Sequence, residues 1–215
     1  MIPLVIVRPE PGASASAARA RELGLAVEVR PLFAVQPVDW AVPEGHFDGL
    51  IFTSANALRH GGPALATLTD LPVHAVGEAT ADAAWAMGFG VATIGERGAE
   101  ALADELPTGR YLHLCGRAHK ALPGVRAVVV YDAAAIDPPP AFDDLGDAVI
   151  AVHSPRAGER LAEAIADRDR FDVAAISPNA AAAVGGGWRA ITYVSAPDDG
   201  ALLALAARLC EKSGR

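Results

Sequence analysis

The chain has 215 residues, 52% of them hydrophobic and 20% charged, with 18 Lys and Arg against 26 Asp and Glu for a formal charge of −8. That content suffices for one large domain or two small ones and excludes a disordered or fibrous protein. Lys120 and Lys212 are the only lysines, which argues against a nucleic-acid partner, while Cys115 and Cys210, with no CxxC, give neither a disulfide framework nor a zinc pattern and fit a reducing cytoplasm.

Short apolar runs alternate with Ala-rich segments of helix length, the pattern of an α/β protein with parallel sheets. Leu4–Val7 reads as a buried strand rather than a signal segment, because the run is short and no basic stretch precedes it. A helix from Gly12 to about Leu23, stopped by Gly24, and a strand at Val27–Val29 complete a first unit. Pro31–Pro37 carries a proline at each end and reads as an extended connection. A second series follows: strand Gly49–Phe52 and a helix from Ser54 or Ala55; strand Val73–Val76 and helix Glu78–Met87; strand Val91–Ile94 and a helix near Gly98–Leu106; then strands Tyr111–Leu114 and Val125–Val130. Pro138-Pro139-Pro140 marks a second stiff passage. The last series has strands at Ala148–Val152, Val173–Ile176 and Ile191–Val194, with helices from Pro155, from Pro178 and from Asp198 to Cys210. No stretch offers the roughly 20 uninterrupted apolar residues of a membrane span.

The last series is short for a domain but becomes one of normal size with the N-terminal unit. The expected organisation is therefore a discontinuous domain of residues 1–33 and 139–215, a second domain of 38–131, and linkers at 34–37 and 132–138. An internal repeat favours it: Phe52-Thr53-Ser54-Ala55-Asn56-Ala57 aligns with Val152-His153-Ser154-Pro155-Arg156-Ala157, and Ala75-Val76-Gly77-Glu78-Ala79-Thr80-Ala81 with Ala175-Ile176-Ser177-Pro178-Asn179-Ala180-Ala181, at one constant offset.

Chemistry is expected where strands end. Thr53-Ser54, Gly77-Glu78, Ser154-Pro155 and Ser177-Pro178 each turn a strand into a helix, where free backbone N–H groups and a partial positive charge suit an anion. The same residues are also ordinary caps and first-turn residues. Arg8, Arg117, His119, Lys120 and Arg156 fall near such ends and add local positive potential to an acidic chain. His113, Cys115 and His119 have a spacing reminiscent of a metal cluster, but alternation along the strand leaves His119 in a loop and no carboxylate completes the set. No GxGxxG, Walker A or GxSxG occurs, which speaks against sugar-phosphate or nucleotide chemistry and hydrolysis.

FTSANA at Phe52–Ala57, VGEATA at Val76–Ala81, Leu114-Cys115-Gly116, Val130-Tyr131, Ser154-Pro155 and the opening Val7-Arg8-Pro9 occur in one order along nearly the whole chain. This ordered set resembles the uroporphyrinogen-III synthase family. The resemblance implies two flavodoxin-like doubly wound parallel-sheet domains joined by a two-stranded linker, with the active site in the cleft between them. It also implies a cytoplasmic enzyme without cofactor; a monomer is the simpler expectation, and no metal is expected from the His113, Cys115 and His119 spacing. Such an enzyme removes water from hydroxymethylbilane, a linear tetrapyrrole with eight carboxylates, inverts its terminal ring and closes the macrocycle. A transient contact with the upstream bilane-forming enzyme is expected, and no nucleic acid or membrane partner.

By resemblance Tyr131 matches the family tyrosine and is the candidate donor to the leaving hydroxyl; its bland alternative is packing in the linker. Thr53, Ser54, Asn56, Gly77, Thr80, Ser154, Pro155 and Arg156 match positions that border substrate in the family, and Arg8, Arg117, Ser177 and Asn179 complete the expected binding set. Ile176-Ser177-Pro178-Asn179-Ala180 departs from the family's IGxxT, which displaces a hydroxyl there. His153 stands where phenylalanine or threonine is usual, either to bind a carboxylate or to cap the strand. A non-catalytic tetrapyrrole- or anion-binding module of the same fold is the alternative reading.

Overall fold

The computed structural model describes residues 1–212. In chain order its elements are β1 (Leu4–Ile6), α1 (Gly12–Glu22), β2 (Val27–Val29), β3 (Phe33–Pro37), β4 (Gly49–Phe52), α2 (Ala55–His60), a 3₁₀ segment (Pro63–Leu68), β5 (Val73–Val76), α3 (Glu78–Ala86), β6 (Val91–Gly95) and α4 (Ala99–Glu105). Then come β7 (Tyr111–Gly116), β8 (Arg126–Ala135), β9 (Ala148–Val152), α5 (Pro155–Ala164), β10 (Phe171–Ala175), α6 (Pro178–Ala183), β11 (Ala190–Tyr193) and α7 (Asp199–Lys212). The chain divides into two compact units, one formed by residues 1–34 with 134 onward and the other by 35–133.

The first unit holds a five-stranded sheet in the order β11-β10-β9-β1-β2, parallel throughout. Its central strands are buried along their whole length, which is why AVIAV and LVI read as continuous rather than alternating apolar runs. Ala13, Ala17 and Ala20 of α1 and Leu202, Leu203 and Ala206 of α7 pack on Leu4, Ile6, Val149 and Ala151, closing one face of the sheet. Alanines on α1 let that helix sit close to the strands.

The sheet of the second unit has the order β3-β8-β7-β4-β5-β6, and β8 through β6 are parallel. Leu50, Phe52, Leu112 and Leu114 point to one core, where Phe52 meets Phe89 edge-on at 5.9 Å. Ile51 and Tyr111 point to the other face with Leu102 of α4 and Leu122. The alternation of Leu50 and Phe52 against Ile51 follows from the two-residue period of a strand buried on both faces.

The two sheets share one plan. Setting β9, β10, β11, β1, β2 beside β4, β5, β6, β7, β8 gives the same spatial order in each, with the first unit circularly permuted by the position of its N-terminal pair. In both, the winding direction reverses at one place: between β1 and β9 in the first, between β7 and β4 in the second. Parallel strands all end on one edge, so each unit has a reversal point flanked by two strand ends, where open α/β sheets take their ligands.

Three details differ from the sequence expectation. β8 does not stop at Val130 but runs through Tyr131 to Ala135: β7 itself continues to Gly116 and pairs it, past a bulge, with Tyr131, and β3 flanks β8 on its other side. Asp132–Ala135 forms the end of that strand, and β7 likewise runs two residues beyond Leu114. The 3₁₀ segment Pro63–Leu68 has no strong periodic signal, and it forms where Pro63 starts a turn whose Leu65 and Leu68 are buried.

Candidate active site

In the second unit the reversal point is bridged by a side-chain contact. Thr53, just past the end of β4, places Oγ1 3.0 Å from Nε2 of His113 on β7. His113 is 1% exposed, and burial, reinforced by His119, pushes its imidazole down to a pKa of about 4, so it is neutral at physiological pH. The next residue, Ser54, caps α2 by accepting the Asn56 N–H at 3.2 Å, and the side chain of Asn56 accepts from Arg59 at 3.4 Å. Gly77 precedes α3 with φ 78°, a conformation glycine adopts without steric cost, and its carbonyl accepts the Thr80 and Ala81 N–H groups. Thr80 itself is only 5% exposed and packs inward, so it adds little to the open edge.

Tyr131 follows on β8. Its ring lies over Gly116, and the His60 ring stands 6.4 Å away, centroid to centroid. Burial and then the nearby Arg59 charge lower the His60 pKa. Among the described residues none hydrogen-bonds the Tyr131 hydroxyl. Arg117 continues the ladder by donating its N–H to the Tyr131 carbonyl at 3.0 Å, while its Nε donates to Asp132 at 2.9 Å and the rest of the guanidinium is exposed. Tyr131, Arg117, Thr53 and Ser54 thus share the strand-end edge of one unit.

In the first unit a polar cluster occupies the reversal point between β1 and β9. Asp199, the first residue of α7, accepts from His153 Nε2 at 2.8 Å, from the Ser16 hydroxyl at 2.8 Å and from Arg8 Nη1 at 3.3 Å, all on Oδ1. Arg19 pairs with Oδ2 at 2.7 Å, off the hydrogen-bonding direction. Burial would raise the Asp199 carboxyl, but the bonds from His153 and Ser16 and the surrounding positive charge outweigh it and hold the pKa down at about 2. A carboxylate accepts only, so Nε2 of His153 carries the proton. Arg8 lies flat on α1, so close that a Cβ at Gly12 would stand 2.5 Å from its Nε. Arg8 is therefore fixed by an internal carboxylate, with 31% of its side chain exposed.

Ser154 and Ser177 cap α5 and α6 by accepting the N–H groups of Ala157 at 3.1 Å and Ala180 at 3.2 Å, with Pro155 and Pro178 in the first turns. Asn179 is exposed in the first turn of α6. Arg156 lies apart from these groups: its guanidinium sits 4.4 Å from the centroid of the Phe33 ring, as a cation–π pair.

The family model described as Uroporphyrinogen-III synthase HemD matches residues 14–204. The chain belongs to the uroporphyrinogen-III synthase family. The activity of this family is the cyclisation of hydroxymethylbilane to uroporphyrinogen III in heme biosynthesis. Among solved structures, uroporphyrinogen-III synthetase from Helicobacter pylori superposes with a TM-score of 0.70 at 18% identity, covering 97% of this chain and 100% of that one. A mutant uroporphyrinogen III synthase from Thermus thermophilus gives 0.53 at 18% identity, covering 99% and 100%. At that identity the likeness is one of fold. No curated protein matches the chain by sequence.

Asp199, Ser16 and Arg19 were not among the residues expected at a uroporphyrinogen-III synthase site, nor was His113. Asp199 reads in sequence as a first-turn acid of the last helix, and only the packing of α7 beside β9 brings it to His153. For His113 the one signal was its place at an inward-facing strand position.

Proposed function

We propose that this chain closes hydroxymethylbilane with Tyr131 as the proton donor to the departing hydroxyl, and that the strand-end edges of both units bind the substrate's carboxylates. The unpartnered phenol of Tyr131 beside the reversal point of its sheet carries this reading. A neutral donor held in place by packing lowers the cost of ionising the carbon–oxygen bond, and acid assistance of this kind contributes roughly 10²–10⁴-fold. Ring inversion also needs the reacting ends held together, which clamped carboxylates supply. Thr53, the backbone N–H groups of the Ser54, Gly77, Ser154 and Ser177 turns, Asn56, Asn179 and the exposed parts of Arg8 and Arg117 are the groups for that task. Because Ser54, Ser154 and Ser177 already accept from their helices, their hydroxyl protons are what they can offer.

Counted in chain order, the first sheet reads 2-1-3-4-5, which supports a flavodoxin-like domain, and the second is its permuted counterpart. The chain passes between the units twice, near 34 and near 133, in keeping with a paired linker and a discontinuous first domain. We place the enzyme in the cytoplasm as a monomer that receives its substrate from the bilane-forming enzyme. No helix of the described residues is long and apolar enough to cross a membrane.

The test supplies the purified protein with freshly generated hydroxymethylbilane, oxidises the products and compares type III with type I porphyrin against a control without enzyme. Predominant type III is the expected result. Type I alone at the control rate, from folded protein, would replace this reading with that of a binding module.

A further inference from the structure

Thr53 Oγ1 and His113 Nε2 are 3.0 Å apart, and the other ring nitrogen of His113, Nδ1, is buried without a hydrogen-bond partner. Two neutral tautomers compete. With the proton on Nδ1, a buried N–H would be left without an acceptor; with the proton on Nε2, only a lone pair goes unused. Orphaned buried N–H groups are the rarer of the two defects. The His119 ring, edge-on to His113 with centroids 5.9 Å apart, does not change this, because its own Nδ1 lies 2.9 Å from the Gly116 carbonyl and must carry the hydrogen there. Protonating both nitrogens of His113 is opposed by burial and by the second imidazole.

His113 therefore donates from Nε2 to Thr53 Oγ1. The Thr53 hydroxyl hydrogen cannot point back at a donor, so it turns to the half-exposed side of the strand end. We propose that His113 is a positioning residue that makes the Thr53 hydroxyl an outward donor for a carboxylate of the substrate, and this rests on the bilane reading above. An alanine-like surface or a freely rotating hydroxyl at residue 53 would bind a carboxylate less well, and an acceptor there would repel it. Val152 and His153 are the repeat counterparts of Phe52 and Thr53, and His153 too has a side-chain partner, the half-buried Asp199, to which its Nε2–H donates. The two strand ends differ in direction: at Thr53 the partner behind turns the hydrogen outward, while at His153 the hydrogen is spent on Asp199.

The tautomer is read directly by long-range proton–nitrogen correlation on histidine-labelled wild-type protein. The expected result is an Nε2–H imidazole at neutral pH; an Nδ1–H or doubly protonated ring would overturn the proposal whatever the kinetics. For the effect on substrate, T53V should raise KM about tenfold with kcat nearly unchanged, as loss of uniform binding does. H113L should give most of that rise, the double variant no more than T53V alone, and H113Q, whose amide can still donate, should recover most of the loss. A purely structural His113 would lower thermal stability without moving KM, or would add its effect to that of T53V, and either outcome overturns the proposal. Wild-type protein that forms no type III product would instead overturn the bilane reading and the substrate half of the proposal, while the tautomer measurement would still report on the hydrogen bond.

Discussion

The ring of Tyr131 rests on the Cα of Gly116: a Cβ built at the glycine would lie 2.6 Å from Cζ and 2.9 Å from the hydroxyl oxygen. Gly116 is thus the floor that sets where the phenol sits. In G116A the ring must swing aside, which it can do because the clash is with the far end of the side chain, so the expected loss of stability is modest, about 1 kcal/mol. Turnover should fall about tenfold, since a donor displaced by an ångström loses most of its alignment. Steady-state rates and a thermal melt check this; unchanged turnover would show that the position of the phenol is immaterial.

Y131F keeps the ring on Gly116 and removes only the donor. The expected outcome is a fall in kcat of about 10²-fold, at the low end for acid assistance, with KM within about twofold. The type III fraction should stay high, because the choice of attacking carbon belongs to the groups that hold the carboxylates. A rate indistinguishable from wild type would remove Tyr131 from the chemistry.

Strands such as Leu4–Ile6, Gly49–Phe52 and Ala148–Val152 were legible because burial on both faces of a parallel sheet demands continuous apolar runs. The strand-end turns were legible because Ser and Pro have fixed uses at helix starts. The extension of β8 past Tyr131 was not, since Asp132 and three alanines have no strand signature of their own and run beyond the last pair with β7, with β3 as their neighbour in the sheet. The Asp199 cluster was hidden for a related reason: Arg8, Ser16, His153 and Asp199 are distant in sequence, and each looks like a solvated polar residue until α7 packs beside β9.

Ser154 and Ser177 give a way to separate capping from ligand binding. Each hydroxyl accepts one otherwise unpaired N–H of its helix, so S154A and S177A should each lose about 1 kcal/mol of stability. Substrate contacts made by the turn backbone survive these changes, and KM should rise no more than about threefold. Chemical denaturation with parallel kinetics decides; a large KM increase at unchanged stability would assign the hydroxyls to the substrate instead.

The two units should respond to acid in sequence. His113 titrates near 6.5 when unfolded and about 4 when folded, so between those values the unfolded chain binds the extra proton and stability falls as pH falls, by roughly 3 kcal/mol in all. His74 and His60, also lowered, act in the same direction and lie in the same unit. Asp199 of the first unit has its carboxyl lowered from 3.8 to about 2, so its contribution of roughly 2 kcal/mol is intact down to about pH 4 and is lost only below that. Hydrogen exchange compared at pH 7 and pH 5 should therefore show strands β4, β5 and β7 losing protection while β1, β9 and β10 keep theirs. H113L should flatten the change in the second unit and leave the first untouched. Loss beginning in β1 and β9, or a pH dependence unaltered by H113L, would mean that the neutral His113 is not what ties the second unit's stability to pH.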